Sequence, residues 1–509
     1  MLRPFFIEPV LLLSRLLHQQ TAFIVLSAII SFIIFYIQYS EETTMGKFHY
    51  PDLQVCVLAA GRGKRMRSNL PKVLHNVLGR AMIDYILHTV ESLRPKGIAV
   101  VTGHASELVR QHVGQPVNLE WVIQDKQLGT GHAVKQCEQV IRDVRDVLIV
   151  CGDTPLLQIE TLARLVDEHR ESDADVTVLT AQPENPFGYG RVMRDQHGHV
   201  TSIVEEKDAS AEQRQISEVS SGIYCVRYDV LFDLLHAIGN RNAQGEYYLP
   251  DIVPLALQAG QSVEAVLMHD ADEMLGVNDR VHLAHVEDLM QKRIIEDWQR
   301  RGVTVEKPDT VRIEAGVKIG IDTVIQAGCY LIGATQIGDE CRIGPNAVLV
   351  DAWLDDRVNV YAFSHIHSAA VGSDALVGPY ARLRPEARLD EGVHIGNFVE
   401  VKKAVVGEGS KVNHLAYIGD ATIGRNCNIG AGTITCNYDG ANKFLTEIGD
   451  DVFVGSDTQL VAPVRVGNHA TIGAGSTITR DVDAGGLTLS ERSEQKHMPN
   501  WKRPVKDNR

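Results

Sequence analysis

A glycine-rich, basic loop follows the first strand-like segment of the chain, Leu53–Ala60. Residues 61–66 read GRGKRM, and Lys72 follows six residues later. Glycine lets backbone N–H groups approach phosphate oxygens, and lysine or arginine neutralises their charge. The loop has neither the Walker A spacing nor the GxGxxG pattern. We therefore interpret it as a phosphate-binding loop of another kind, with an ordinary tight turn as the alternative.

A carboxylate occupies a second turn, at the end of the strand-like segment Val147–Val150. Residues 151–155 read CGDTP, so Asp153 stands close to the carboxyl end of that segment. A carboxylate beside bound phosphates can hold Mg²⁺ through its oxygen atoms. The alternative is a turn-forming role for the Asp-Thr-Pro sequence.

A third polar group interrupts a regular repeat in the C-terminal part of the chain. Cations, amides and an imidazole on a repetitive rod favour a second site there. The alternative is a purely structural rod that serves as a spacer or in oligomerisation. The members of this group are Arg382, Arg384, Lys402, Lys403, His414, Tyr417, Asn428, Asn437, Tyr438 and Lys443.

The segments that must position the first two groups alternate between strand and helix patterns. The helical patterns Met82–Leu93 and Ile159–Glu168 lie between strand-like runs. Such alternation predicts a largely parallel sheet with ligand loops at the carboxyl ends of the strands. A further pattern at helical spacing predicts one long connecting helix over 281–301. The strand-like runs are 53–60, 97–102, 119–123, 147–150, 176–181 and 222–226.

The third group lies on a repeat of six residues. From Ile313 to Leu349 an aliphatic residue recurs every six positions, and the series continues to Ile478. A period of six fits neither an amphipathic helix nor a strand in a flat sheet, and it is typical of a parallel β-helix. The period slips at 349–354 and 401–406 and is disrupted between Ile429 and Ile448. We expect loops or adjusted corners at these points.

Taken together, the motifs resemble a known family. LAAGRGKRM with LPK, then QLGTGHA, CGDTPL, PFGYGRV, VEEKDA, GEYYLPDI and GVNDR follow in order, and VNHLAYIGD and NIGAGTITCNYDGANK stand in the repeat. From Met45 onward the chain resembles the sugar-phosphate nucleotidylyltransferases. Within them it is most similar to the bacterial bifunctional N-acetylglucosamine-1-phosphate uridylyltransferase/glucosamine-1-phosphate acetyltransferase family. The resemblance implies an α/β domain with a Rossmann-like, mostly parallel mixed sheet in 45–280, a linker helix in 281–301 and a left-handed parallel β-helix in 302–509.

The resemblance also implies an enzyme with two active sites that makes UDP-N-acetylglucosamine for peptidoglycan and lipopolysaccharide synthesis. The β-helix would transfer an acetyl group from acetyl-CoA to glucosamine 1-phosphate. The α/β domain would then transfer uridylyl from UTP to N-acetylglucosamine 1-phosphate and release pyrophosphate. Further implications are Mg²⁺, a homotrimer with active sites at its interfaces, and a cytoplasmic location. The alternatives are a monofunctional sugar nucleotidylyltransferase with a structural β-helix, and a scaffold that binds sugar nucleotide without turnover.

The matching motif positions imply the residues of the uridylyltransferase site. Asp153 and Asn278 would ligate Mg²⁺, and Gln124 would pair with the uracil edge. Lys72 and Arg65 would offset phosphate charge. The other positions implied to contact the nucleotide or the sugar are Leu58, Ala59, Ala60, Gly61, Gly129, Thr130, Cys151, Gly152, Gly190, Glu205 and Ser220.

The motifs in the repeat imply the residues of the acetyltransferase site. His414 would be the general base for the glucosamine amine, since imidazole has a pKa near neutral pH. Arg384 and Lys402 would hold the sugar phosphate, while Tyr417 and Asn428 would contact the sugar. The positions implied on the acetyl-CoA side are Ala431, Asn437, Tyr438, Lys443, Ser456, Ala474 and Arg492.

Three positions depart from the family pattern. Lys64 stands where Thr or Ser is common, and Ser220 stands where Asn is common. Serine is shorter than asparagine and has no amide. The segment LSERS carries an extra residue beside Arg492.

Composition limits the function classes further. The net charge of −15, from 65 acidic and 50 basic residues, argues against a nucleic-acid-binding surface. Eight cysteines without a CxxC pair argue against a disulfide framework and a zinc ribbon.

Residues 1–44 contain an apolar run at 22–37 that would suit a membrane anchor. The alternative is an upstream start codon, with Met45 as the natural first residue, and we expect no membrane contact from the rest of the chain.

Overall fold

The computed structural model describes residues 48–61, 63–103, 105–491 and 497–500. The segment 1–44, Met45, Arg62 and Arg492 lie outside the described residues. The chain divides into two compact units. One comprises residues up to Val77 with Ala81–Val286, and the other comprises Leu78–Arg80 with the residues from Glu287 onward. Within the described ranges, no helix has both the length and the apolar character needed to cross a bilayer.

The first unit is built on strands that alternate with helices. The strands are β1 (Leu53–Ala59), β2 (Asn76–Val77), β3 (Arg80–Ala81), β4 (Gly97–Thr102), β5 (Leu119–Ile123), β6 (Asp146–Cys151), β7 (Val176–Ala181), β8 (Arg191–Arg194), β9 (Val200–Val204), β10 (Val219–Arg227) and β11 (Val263–Leu267). The helices are α1 (Met82–Glu91), α2 (Ser106–Val113), α3 (Thr130–Lys135), α4 (Ile159–Glu171), α5 (Tyr228–Ala237) and α6 (Ile252–Gln258), and α7 (Arg280–Arg300) follows them.

The main sheet has the order β11-β7-β10-β6-β1-β4-β5. Strand β1 runs parallel to β4 and β6, whereas β10 is antiparallel to β6 and β7. The predicted mixed, mostly parallel sheet is therefore confirmed. Because β1 and β6 are parallel and Leu58 is in register with Cys151, the loops after these two strands leave the same edge of the sheet.

Both faces of this sheet are buried. Val55 and Val57 of β1 belong to one apolar core, together with residues of α1 and α4. Cys56, which points to the opposite face, belongs to a second core with residues of α3, α5 and α6. A strand buried on both faces reads as a continuous apolar run, as β1 does. The sheet therefore holds the loops at its edge on a rigid base.

The second unit contains the predicted parallel β-helix, which is confirmed. Its short strands stack in three walls, and each wall takes one strand from each coil. The first wall consists of 304–305, 324–325, 342–343, 359–360, 376–377, His394–Asn397, Lys411–His414, 428–429, 453–454, 471–472 and 487–488. The second wall consists of 312–313, 330–332, 348–350, 365–367, 382–383, the first parts of Glu400–Val406 and Tyr417–Ile423, 434–436, 459–461 and 477–478. The third wall consists of 318–319, 336–337, 353–354, 370–371, 388–389, the last parts of Glu400–Val406 and Tyr417–Ile423, 446–448 and 464–466.

The aliphatic residues of the six-residue repeat point into the β-helix. Ile313, Leu331, Leu349, Ile366 and Leu383 are successive partners on the second wall, and each is fully buried. A single continuous core runs along the axis. The repeat therefore determines both the direction of each side chain and the register between coils.

The irregularities of the repeat lie at one corner, between the second and third walls. At the slips 349–354 and 401–406, and likewise at 366–371 and 418–423, this corner is one residue shorter. The residues that occupy it, with φ of 45° or 46°, are Asp351, Ser368, Lys403 and Asp420. The disruption between Ile429 and Ile448 is an insertion at the same corner, where Tyr438 and Lys443 form an isolated bridge. The register of the walls continues on both sides of the insertion.

Removal of one inward side chain should destabilise the β-helix. Ile343→Ala creates a cavity at a fully buried position, and we expect it to lower the free energy of unfolding by about 2–5 kcal/mol. Arg342→Ala, at the exposed neighbouring position, should change it by less than about 0.5 kcal/mol. Denaturant titration followed by circular dichroism measures both. Equal effects of the two variants would contradict the assignment of inward and outward positions.

Candidate active sites

The phosphate-binding loop lies between β1 and a short 3₁₀ helix that begins at Lys72. The ammonium group of Lys72 forms an ion pair with the carboxylate of Asp153, which follows β6. Gly63 has φ of 56°, and an added Cβ there would lie 2.8 Å from the Cβ of Lys72. Glycine at 63 is therefore required both by the backbone conformation and by the close approach of Lys72.

Asp153 lies where three segments converge. The N–H of Gly152 donates to the carbonyl of Leu58 at 2.9 Å, which joins the end of β6 to β1. The N–H of Val277 donates to the carbonyl of Asp153 at 3.0 Å, which brings the adjacent Asn278 to the same edge of the sheet. The structure thus places the two predicted metal ligands on neighbouring segments.

The donor set at this edge fits Mg²⁺. No group of three or more His, Cys, Asp or Glu side chains in the described part of the chain is arranged to hold a metal ion. Asp153 and Asn278 offer one carboxylate and one amide oxygen. Mg²⁺ is usually held by one or two carboxylates and completes its octahedron with substrate phosphates and waters. These two residues therefore suit an ion that arrives with a nucleotide.

The loop before α3 carries the residues predicted to meet the base. The side-chain amide of Gln124 donates to the carbonyl of Gly129 at 3.0 Å. Gly129 has φ of 114°, and an added Cβ there would lie 2.5 Å from the carbonyl oxygen of Tyr247. The hydroxyl of Thr130 accepts a hydrogen bond from the N–H of Leu249 at 3.0 Å. The loop is therefore fixed by Gln124 on one side and by the segment that contains Tyr247 and Leu249 on the other.

A cavity of about 170 Å³ lies beside these segments. Six of its lining residues are predicted site positions. The hydroxyl of Ser220 lies 3.2 Å from the hydroxyl of Tyr224 and accepts from the N–H of Gly222 at 3.3 Å. Ser220 is therefore turned toward the cavity floor. The lining residues include Leu58, Thr130, Cys151, Gly190, Glu205, Ser220 and Gly222.

Burial raises the pKa of several ionisable groups in this cavity, among them Glu205 and Cys151. It raises the pKa of the Glu205 carboxyl, and the nearby carboxylates of Asp251 and Asp208 act in the same direction. Burial, and then the charge of Asp153, raises the pKa of the Cys151 thiol to about 12. Cys151 is therefore a neutral lining residue at physiological pH.

His414 lies at the exposed corner between the first and second walls. Its Nδ1 lies 2.9 Å from Oδ1 of Asn397, the residue paired with it one coil earlier. An amide oxygen only accepts, so Nδ1 carries the proton and donates it. Nε2 of the neutral ring is consequently left with a free lone pair.

Four predicted site residues form a line along this corner. The carbonyl of His414 accepts from the N–H of Gly432, the residue after Ala431, at 3.3 Å. The carbonyl of Ala431 accepts from the N–H of Asp457, the residue after Ser456, at 2.7 Å. The carbonyl of Ser456 accepts from the N–H of Gly475, the residue after Ala474, at 2.8 Å. The stacking of coils therefore brings His414, Ala431, Ser456 and Ala474 together, although they are distant in the sequence.

The predicted phosphate ligands lie on the second wall. The guanidinium of Arg384 donates to Glu400 at 2.8 Å. On the next coil, Lys402 contacts Asp420 at 3.4 Å, and the amide of Asn437 donates to the same carboxylate. Arg384 follows the strand 382–383, which pairs with 400–401, and its N–H donates to the carbonyl of Val401 at 2.9 Å, so main-chain register places it beside Lys402.

The insertion adds a further cation and a cavity to this wall. The nearby Lys402 ammonium lowers the pKa of Lys443. A cavity of about 250 Å³ beside the insertion is lined by Lys403, Asp420, Lys443, Phe444 and Leu445. Tyr438, at the tip of the insertion, is 60% exposed.

The remaining two sugar positions lie on different walls. Tyr417 is on the second wall, and its hydroxyl lies over Gly419, where an added Cβ would collide with it. Asn428 is on the first wall, between Lys411 and Phe453. The structure does not bring Tyr417 and Asn428 into contact within the chain.

Sequence reasoning did not single out several polar partners in these sites. Asn397 orients His414, and Asp420 holds Lys402 and Asn437. The side-chain amide of Gln127 donates to the carbonyl of Ala60. Asn397 stands 17 residues, or one coil, before His414 in the sequence. This spacing identifies it as a partner of His414 only once the register between the strands of a wall is known.

Comparisons with known proteins agree with this architecture. Residues 54–355 match the family described as Nucleotidyl transferase, and residues 445–480 match that described as Bacterial transferase hexapeptide (six repeats). The bifunctional protein GlmU of Alkalilimnicola ehrlichii is 49% identical over 453 residues, which are 89% of this chain and 96% of that protein. The bifunctional protein GlmU of Pelobacter propionicus is 48% identical over 447 residues, covering 88% and 97%.

The fold and the two sites define a transferase in which a nucleotidyltransferase sheet precedes a hexapeptide β-helix. The chain belongs to the family of the bifunctional protein GlmU. The predicted bifunctional role in UDP-N-acetylglucosamine synthesis, by uridylyl and acetyl transfer, is therefore confirmed. Membership of this family of nucleotidyltransferases also implies a divalent metal cofactor.

Gly129→Ala should impair the uridylyltransferase site alone. A Cβ at this position meets the backbone of Tyr247 and requires an unfavourable φ. We expect kcat/KM for UTP to fall about tenfold or more, while acetyl transfer is unchanged. Gly239→Ala, where an added Cβ meets nothing within 4 Å, is the matched control. Normal uridylyl transfer by a folded Gly129→Ala variant would show that this loop does not shape the site.

Proposed function

We propose that uridylyl transfer takes place at the edge of the sheet where β1 and β6 end. The observation that supports this most directly is the convergence of Lys72, Asp153 and the segment that carries Asn278 beside the 170 Å³ cavity. Backbone N–H groups of the glycine-rich loop would bind the phosphates of UTP. The cavity that contains Glu205 and Ser220 would bind the sugar.

The reaction at this site is an in-line displacement. A phosphate oxygen of N-acetylglucosamine 1-phosphate attacks the α-phosphorus of UTP, and the bond from that phosphorus to the bridging oxygen breaks. Pyrophosphate leaves with the electron pair. The attacking phosphate is already an anion, so no general base is required. The reaction is accelerated by positioning of the two substrates and by neutralisation of their phosphate charge.

Lys72 is the protein group placed to neutralise charge during this step. Its partner Asp153 holds it at the end of β6 when no nucleotide competes for either group. With Asn278, Asp153 would hold Mg²⁺, which supplies positive charge to the phosphate oxygens. If Asp153 held the ion, the ammonium of Lys72 would be available to the phosphates of the substrate.

We further propose that His414 is the general base of acetyl transfer. Asn397 fixes the tautomer in which Nε2 accepts a proton. The amine nitrogen of glucosamine 1-phosphate attacks the thioester carbon of acetyl-CoA while Nε2 takes a proton from that nitrogen. The carbon–sulfur bond then breaks, and the protonated ring returns the proton to the departing sulfur.

The second wall would bind the sugar phosphate, and the corner and insertion would bind the coenzyme. Arg384 and Lys402 present two cations on adjacent coils, a spacing that suits the oxygens of one phosphate. Ala431, Ser456 and Ala474 continue from His414 along the corner and would flank the thioester arm.

We also propose a cytoplasmic homotrimer. His414 is exposed, and Asn428 lies on a different wall from Tyr417, so a single chain leaves the acetyltransferase groups spread over an open surface. A neighbouring chain against this surface would enclose the site. A cytoplasmic location is supported by the chain's eight cysteines, all of which are free thiols, as is usual in a reducing compartment.

The two activities should be separable by single substitutions. Asp153→Ala removes a metal ligand and should strongly lower uridylyl transfer while acetyl transfer stays near wild type. His414→Ala should do the reverse, with a loss of about 10²–10⁴-fold, because a general base is removed. Steady-state kinetics of both half-reactions on both variants supply the measurement.

Metal removal provides an independent control for this separation. EDTA should stop uridylyl transfer, and Mg²⁺ should restore it, because only that reaction needs charge on the phosphates neutralised by an ion. Acetyl transfer should persist in EDTA. The assignment fails if His414→Ala acetylates normally, or if either folded variant loses both activities.

The trimer can be tested directly on the full chain. Light scattering should give three times the mass of one chain. If the neighbouring chain encloses the acetyltransferase site, dilution to monomers should abolish acetyl transfer before it affects uridylyl transfer. A monomer with full acetyltransferase activity would overturn the proposal.

A further inference from the structure

The orientation of the Gln124 amide is set by two acceptors. The backbone N–H of Gln124 donates to the carbonyl of Thr102 at 2.8 Å. Gln124 as a whole is only 3% exposed. The side-chain nitrogen lies 3.0 Å from the carbonyl oxygen of Gly129 and 3.0 Å from Nδ1 of His132. A carbonyl oxygen only accepts, so the nitrogen end of the amide must face Gly129.

His132 must then offer a lone pair at Nδ1. A protonated Nδ1 would face the amide N–H of Gln124 donor to donor. Burial, together with the cation of Lys135, lowers the pKa of His132 and favours the neutral ring. The neighbouring Gln136 donates to the carbonyl of His132 at 3.2 Å, and its amide nitrogen lies 3.4 Å from Nε2 of the ring, so Gln136 does not contact Nδ1.

Both N–H groups of the Gln124 amide are therefore occupied, and Oε1 remains as its free acceptor. No donor from the described ranges reaches Oε1. Uracil carries a proton on N3, whereas N3 of cytosine is a lone pair. An amide oxygen that faces N3 accepts from the N3–H of uracil, whereas it meets a lone pair on N3 of cytosine. A mobile amide could rotate and present N–H to cytosine.

We propose that His132 is a positioning residue that makes the uridylyltransferase site selective for UTP over CTP by locking the amide of Gln124. The inference rests on the proposed function, and on the predicted pairing of Gln124 with the uracil edge. His132 contacts no substrate in this arrangement. It acts through Gln124, and Gly129 provides the second anchor.

The test compares UTP and CTP as substrates of the full-length enzyme. His132→Leu removes the acceptor, and we expect the ratio of kcat/KM for UTP to that for CTP to fall about fivefold, the weight of one hydrogen bond. His132→Asn should restore the ratio, because its Oδ1 occupies the position of Nδ1. Gln136→Leu changes a neighbour of the same ring and should leave the ratio unchanged.

A double-mutant cycle separates positioning from a general structural role. In a Gln124→Ala background, His132→Leu should cause no further loss of selectivity. The inference is overturned if His132→Leu keeps the wild-type ratio, if Asn fails to restore the ratio in a folded protein, or if the two substitutions act additively. A wild-type enzyme that does not use UTP would instead refute the proposed function. Acetyl transfer serves as the check on folding throughout.

Discussion

Parallel pairing of strands is the constraint on which both units depend. In the sheet, β1 and β6 run side by side, so the loops that follow them leave one edge and bring Lys72 to Asp153. In the β-helix, parallel pairing from coil to coil brings residues 17 to 25 positions apart in the sequence into line. In both cases main-chain hydrogen bonds, rather than contacts between the catalytic side chains, determine which groups become neighbours.

The electrostatic interactions of the candidate site groups are separate from the apolar packing of the two units. The candidate site groups are held by partners that are themselves polar: Lys72 by Asp153, Arg384 by Glu400, and His414 by Asn397. The carboxylates of Asp153 and Glu400 hold the cations Lys72 and Arg384 in place, and a bound phosphate can take the place of either carboxylate. The apolar cores lie away from these pairs and supply rigidity.

Much of the fold was predictable because its periodicity is strict. The six-residue repeat identified Ile313 and its successors as inward-facing, and the alternation of strand and helix identified the sheet. The antiparallel course of β10 had no such signal, because an apolar run buried on both faces reads the same in either direction. Motifs predicted the individual candidate site residues. Asn397 and His132 were not predicted, because their roles depend on register and on the orientation of one amide.

The insertion between Thr435 and Thr446 shows how such a rod can acquire new chemistry. It lengthens one coil to 25 residues, yet Thr435 still pairs with Leu460 and Ile448 still pairs with Val466. A corner can therefore grow without cost to the walls, since each coil is tied to its neighbours only through its strands. The architecture is modular: a corner can carry additional ligand-binding groups while the stacked strands keep the stability of the rod.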